Sequence, residues 1–175
     1  MNRIFTVFII LFTLSFMTFS CSGRDDDKGN PSGYIQISTN ERLNIDNVNV
    51  REMLNYNSTN KNVYIFSFTN IGKVNSNGVT ATKTVQMGVE FPNNEILDGD
   101  FNYQNSTRKM EYASTWYMDF DGASGKSEQI SSEGKCSIKR IGRDRFTVTF
   151  SFKTGPDRII SGEYSGKVII HDEKM

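Results

Sequence analysis

Histidine, proline, tryptophan and cysteine are nearly missing from these 175 residues, which hold one, three, one and two of them. The lone histidine, His171, sits four residues from the end and leaves no inventory for a His-dependent triad or a multi-histidine zinc centre. No CxxC pair, Gly-rich phosphate loop or dinucleotide fingerprint occurs. Neither sign of charge is in excess, with 20 basic and 20 acidic side chains. A balanced chain without a basic patch gives nucleic acid no footing, since such binding needs several phosphate contacts. No stretch repeats with a period of 20 to 50 residues, which excludes solenoids. Apolar runs long enough for a spanning helix are also lacking. The longest, Ile4 to Phe19, would cover about 24 Å as a helix, against roughly 30 Å of bilayer hydrocarbon.

What is there begins with an address. Met1-Asn2-Arg3 supplies one positive charge, the apolar run follows, and small Ser20 ends it, the build of a secretory signal peptide. Cys21 comes directly after Ser20, and an ordinary cleavage site has no need of a cysteine. Ser20-Cys21 resembles the bacterial lipoprotein signal, in which the cysteine becomes the first mature residue and carries the acyl chains. Ser22-Gly23-Arg24-Asp25-Asp26-Asp27-Lys28 is similar to the acidic export signal of Bacteroidota lipoproteins. That resemblance implies lipidation at Cys21. It makes Ser22, Asp25, Asp26 and Asp27 the export signal, and it places the protein on the outer membrane, facing the exterior. The membrane is then a partner through the lipid anchor alone, because two or more acyl chains hold stably without a transmembrane helix. With Cys21 acylated, Cys136 is left unpaired and no disulfide is expected. Residues 22–32, rich in charge, Gly, Asn, Pro and Ser, cannot bury apolar area and read as a disordered tether.

Removing residues 1–20 takes Arg3 with it and leaves 155 residues with 19 basic and 20 acidic side chains, enough for one real core. Leucine is rare in them, while Phe, Tyr, Val and Ile are plentiful, a strand-forming composition. Period-two alternation recurs. Val79, Ala81, Val85, Met87, Val89 and Phe91 share one face, interrupted by Lys83. Met110, Tyr112, Trp116, Met118 and Phe120 alternate with polar residues, as do Phe146, Val148, Phe150 and Phe152. After the turn Thr154-Gly155-Pro156-Asp157, the run Ile160, Tyr164, Val168 and Ile170 completes an expected antiparallel hairpin. Earlier strands are expected at residues 33–38 and 63–69, with 47–55 either a short helix or an irregular strand. Residues 72–78, 92–99 and 121–133 read as loops. Clean alternation means sheets wetted on one side that must close on one another. The expected fold of residues 33–172 is a single all-β domain, an antiparallel β-sandwich of roughly seven to nine strands, with a lipocalin-like β-barrel as the alternative. The order Gly134-x-Cys136-x-Ile138, Phe146-x-Val148-x-Phe150, Ile160-x-Gly162-x-Tyr164-x-Gly166 resembles the ending of many Bacteroidota lipoproteins and implies strands, with no chemistry attached. Gly162 and Gly166 beside Tyr164 suggest a tyrosine lying over places where side chains are absent.

Sites are few. Asp119-Phe120-Asp121-Gly122 has carboxylates two apart and a glycine, as in a small calcium loop. It lacks the EF-hand spacing, and a strand-end turn explains it equally. Asp98-Gly99-Asp100 reads as a turn. Glu90, Asp119 and Glu163 are the carboxylates a glycosidase-like hydrolase could draw on. Trp116 shares parity with Met110 and Met118 and belongs to the expected core face. Tyr117, on the opposite face, is the candidate exposed ligand contact, with Tyr103 and Tyr112 nearby in sequence. The expected function is binding or assembly, with a glycan or protein as ligand, and with no catalytic residue, metal or cofactor. A small secreted carboxylate-dependent hydrolase is the alternative.

Overall fold

A computed structural model describes residues 32–74, 80–121, 124–155 and 158–172. Cys21, Ser22 and Asp25 to Asp27 lie outside the described residues. The strands are β1 (Ser32–Ile37), β2 (Glu41–Asn44), β3 (Asn47–Met53), β4 (Lys61–Val74), β5 (Thr80–Pro92), β6 (Gly99–Asn102), β7 (Lys109–Asp121), β8 (Ser124–Arg140), β9 (Arg145–Thr154), β10 (Arg158–Lys167) and β11 (Ile169–Asp172). They form one 11-stranded sheet in the order β11-β3-β4-β5-β7-β6-β8-β9-β10-β1-β2. Among the described residues no helix is long and apolar enough to cross a membrane.

The sheet is strongly curled, and two near-continuous strands make it so. β2 runs into β3 through Ile45-Asp46, and β10 runs into β11 through Val168, each passing from one end of the strand order to the other. At the first corner, successive amides bond to opposite halves: Ile45 N–H to Gly33 O at 3.0 Å and Asp46 N–H to Thr69 O at 2.9 Å. Such bends are how strands switch between packed sheets. The halves face each other across aromatic rings. Phe66 on β4 meets Phe146 on β9 edge-on at 5.6 Å, and Phe68 stacks on Phe150 at 5.0 Å. Phe91 on β5 meets Phe101 on β6 at 6.0 Å. Aromatic pairs at these separations add about 0.5–1.5 kcal/mol each beyond their area burial. The interior is therefore filled, as in a sandwich, although the curl is barrel-like.

The all-β expectation holds. Eight strands have six or more residues, and β2, β6 and β11, four residues each, are too short to display an alternation. Residues 47–53 are strand, with a 3₁₀ turn following at Tyr56–Ser58. The β9–β10 hairpin pairs as expected from Thr154↔Arg158 to Arg145↔Lys167. Some expectations need correction. Residues 72–74 are not loop but the end of β4. Residues 124–133 are not loop but the first part of β8, which pairs with β7 from Asp121↔Ser124 to Trp116↔Gln129. The polar composition of residues 124–129 reflects a hairpin tip that stands clear of the core, which the strand enters at Ile130. Tyr164 covers Gly33 on β1, its register partner, while the space at Gly162 is taken by the Phe150 ring.

Candidate ligand-binding groove

β7 and β8 begin as a hairpin and then part, and β6 enters between them. Both strands bulge where they separate. Between Gln86↔Trp116 and Gly88↔Glu111, β5 advances two residues while β7 advances five. Between Thr154↔Ile130 and Phe152↔Gly134, β9 advances two while β8 advances four. Side-chain facing has period two, so an odd insertion swaps faces and an even one does not. Three extra residues in β7 put Met110 inside on one side of the bulge and Thr115 and Tyr117 inside on the other. Two extra residues in β8 leave Ile130 and Cys136 on the same buried face.

The β7 bulge is a built feature. Carbonyls of four successive residues, Glu111 to Ser114, each accept a hydrogen bond from a side chain. Thr115 Oγ1 donates to Glu111 O at 2.8 Å and Gln129 Nε2 to Tyr112 O at 3.0 Å. Trp116 Nε1 donates to Ala113 O at 2.7 Å, and Gln86 Nε2 to Ser114 O at 3.3 Å. The fully buried Thr115 hydroxyl also accepts from Gly88 N–H at 3.3 Å, replacing the lost ladder bond. Backbone groups that leave a ladder need partners of this kind.

Beside the bulges lies a groove on the outer face of β8 and β9, walled by the chain that follows β6. It consists of two hollows of about 620 and 480 Å³ that share Asn102, Lys135 and Ser151. Those three form one cross-strand row, paired Asn102↔Lys135 and Lys135↔Ser151. The larger hollow continues to Tyr103, Gln104, Lys153 and Ile159, and the smaller to Asp100, Ser137 and Thr149. Tyr103 is partly buried against the core and stands 6.3 Å, ring to ring, from half-exposed Tyr112. Arg108 fixes the wall. Its guanidinium binds the Glu95 carboxylate and Asp98 O, its Nε donates to Asp100 O at 3.4 Å, and it lies 4.5 Å above the Phe101 ring. Tyr103 N–H then reaches Gly134 O at 2.8 Å, which ties the wall to β8.

The charges along the groove are unevenly spent. Lys153 is paired with Glu133 at 3.0 Å, whereas the ammonium of exposed Lys135 has no ion-pair or hydrogen-bond partner among the described residues. Under the floor, burial and then the Asp100 charge push the Cys136 thiol well above its ordinary value, so it stays protonated and unreactive.

Tyr117 corrects an expectation. It is 2% exposed, because the odd insertion turns it inward, and Trp116 and Tyr112 turn outward instead. Its hydroxyl donates to Asp119 at 3.4 Å, and Arg158 lies 5.8 Å over its ring. Asp119 also lies 3.6 Å from Lys83, which binds Glu41 at 2.7 Å, so this end of the domain is closed by a chain of paired charges. Burial and the charges of Asp119 and Glu41 raise the Tyr117 hydroxyl above its usual range. Asp121 is exposed, Gly122 lies outside the described residues, and no described cluster of three His, Cys, Asp or Glu could hold a metal. Glu90 pairs with Lys61 on the outer face of β5, while Glu163 is exposed on β10 in the other half, so the structure does not bring them together. His171 Nε2–H donates to Asn49 Oδ1 at 3.3 Å at the end of β11. Asn57 lies in the 3₁₀ turn, and in the chain between β6 and β7 Asn105 Oδ1 accepts from Thr107 N–H at 2.8 Å.

Sequence reasoning missed the groove altogether. Its residues come from four strands and a loop, and the one available signal was the break in alternation from Tyr112 to Thr115. No protein-family model, curated protein or solved structure matches the chain. The groove must therefore be read from its own chemistry: one aromatic wall, amide and hydroxyl groups, and an unspent cation.

Proposed function

We propose that the protein is a surface lipoprotein of the outer membrane, moored by acyl chains on Cys21, that acts by binding a ligand in the groove beside Tyr103. The acidic tether, Ser22 with Asp25 to Asp27, serves export. The observation that carries the binding reading is the groove itself, where a tyrosine face adjoins Asn102, Gln104 and Ser151 on a rigid sheet. Flat apolar rings beside hydrogen-bonding groups suit the two faces of a sugar, and a few placed polar groups on a firm scaffold are how ligand sites fix orientation. The groove acids, Asp100 and Glu133, argue against hydrolysis. Asp100 pairs with Ser137, four residues and about 13 Å of backbone along β8 from Glu133, and Glu133 is already held by Lys153 at 3.0 Å.

Two experiments test this. Palmitate labelling should mark the full chain and not its Cys21→Ala variant, and equal labelling of both overturns the anchor. The full chain in detergent should be slowed in gels containing a soluble polysaccharide, and Tyr103→Ala should remove the retardation. Retardation of both alike would take the ligand away from the groove.

A further inference from the structure

The groove also indicates which glycan it takes. Lys135 occupies the one cross-strand row that both hollows share, so any ligand long enough to fill the groove passes its ammonium. Its neighbour Lys153 is neutralised by Glu133, and Lys135 is not neutralised by any described residue. An exposed lysine pointing into water needs no partner. One set among Asn102, Ser151 and Ser137 on the floor of a groove presents a point cation with three donors amid neutral hydrogen-bonding groups. A neutral sugar can accept hydrogen bonds from that ammonium but brings no opposite charge to it. A polyphosphate would need several cations, and among the described residues of the groove one stands unpaired. Two residues from Asn102, the exposed Asp100 carboxylate is an acceptor for hydroxyl groups and repels a second anion close by. The pattern along the groove is thus aromatic face, cation, hydroxyls, acceptor.

We infer that the ligand is a carboxylated glycan, a polymer containing uronic acid, and that Lys135 selects it by a charge-assisted hydrogen bond to the carboxylate. This rests on the groove being the ligand site. The decisive comparison uses uronate polymers (polygalacturonate, alginate and hyaluronan) and their carboxyl-reduced forms, which keep the linkage and lose the charge. At low salt the full chain in detergent should bind at least one acidic polymer about fivefold more tightly than its reduced form, the scale of one exposed ion pair. Lys135→Gln should abolish that preference, bringing the acidic and reduced forms to equal affinity. Lys139→Gln, the same charge loss on β8 outside the groove, should change neither. Equal binding of acidic and reduced forms overturns the carboxylate inference and leaves the groove standing. An equal loss in Lys139→Gln also overturns it, since only net charge would then matter. No binding to any polymer, acidic or reduced, overturns the inference and the glycan reading together.

Discussion

The hairpins β7–β8 and β9–β10 are written in the same kind of alternating sequence and are put to different uses. In β9–β10 ten consecutive pairs form without a register shift, every even residue from Phe146 to Thr154 faces the core, and no bulge interrupts the run. In β7–β8 only six pairs form before both strands bulge and part around β6. The first hairpin is core on one face and polar on the other. The second gives up ladder bonds, recovers them through Thr115, Trp116, Gln86 and Gln129, and gains a groove wall. Regular pairing makes stability here, and its interruption opens the groove. Strand interruptions near functional sites are a general habit of sheets.

The sharpest way to break that contrast is to fill a glycine in each hairpin. A side chain at Gly162 would overlap the Tyr34 carbonyl oxygen and the Phe150 ring, both held in the core. A side chain at Gly125 would meet only the Phe120 ring, which is 43% exposed and can swing into water. Gly162→Val should cost about 3 kcal/mol, the upper range for overpacking, and Gly125→Val less than about 1 kcal/mol. Denaturant midpoints at equal slope give both numbers. Similar costs would mean that the β7–β8 tip is as tightly built as the C-terminal hairpin.

Next in size is the bulge itself. Thr115→Val keeps the volume and removes the hydroxyl, leaving Gly88 N–H and Glu111 O unpaired in a buried place. A cost of about 2 kcal/mol is expected for the stranded groups. Trp116, the chain's one tryptophan, bonds within the same bulge, so its emission should shift to longer wavelength in Thr115→Val as its surroundings loosen. An unchanged midpoint would show the bulge to be held by its neighbours and Thr115 to be dispensable.

This hairpin contrast also marks where sequence can be read. Parity alone placed Phe146 to Phe152 and Ile160 to Tyr164 correctly, because a period of two survives wherever register is continuous. It placed Trp116 and Tyr117 the wrong way round, because three extra residues had already swapped the faces before either was reached. The polar tip, Ser124 to Gln129, looked like loop for a related reason: a strand segment that adds nothing to the core has no need to alternate. The groove depends on β6 and on Arg108, whose contacts with Glu95, Asp98 and Asp100 join segments with no shared pattern. Nothing local encodes that, so no reading along the chain could find it.

A smaller effect separates the halves of β8 by pH. Cys136 lies in the stretch that pairs regularly with β9, and burial raises its thiol above the ordinary 9.0 in the folded state. Folded protein therefore holds a proton that unfolded protein loses, so this contribution is complete below pH 9 and fades as pH rises through the folded value. Between pH 9 and 10 the loss should be about 1 kcal/mol, and Cys136→Ala should lack it. Tyr117 and Lys83 also hold their protons more tightly when folded, from ordinary values of 10.0 and 10.5, so their losses come at higher pH with the same sign. For Lys83, burial works the other way and is outweighed by the hydrogen bond to Glu41 and the charges of Asp119 and Glu41. Chemical denaturation at pH 9 and 10 checks the thiol. An equal loss in Cys136→Ala would mean the site is wet.

The smallest change in stability belongs to the residue that the contrast makes most exposed. Tyr112 lies in the bulge, outside the core cluster, touching the Tyr103 ring on one side and water on the other. A ring whose burial contributes little to folding can be deleted cheaply, so Tyr112→Ala should move the midpoint by no more than about 0.5 kcal/mol. Its value should show elsewhere. Without it Tyr103 loses the neighbour that limits its tilt, and polysaccharide retardation should weaken even though the fold is intact. A cost above about 1 kcal/mol would make Tyr112 a structural plug. The bulge would then be a repair of the sheet like the Phe120 cover over Gly125, and the groove beside it a by-product of packing.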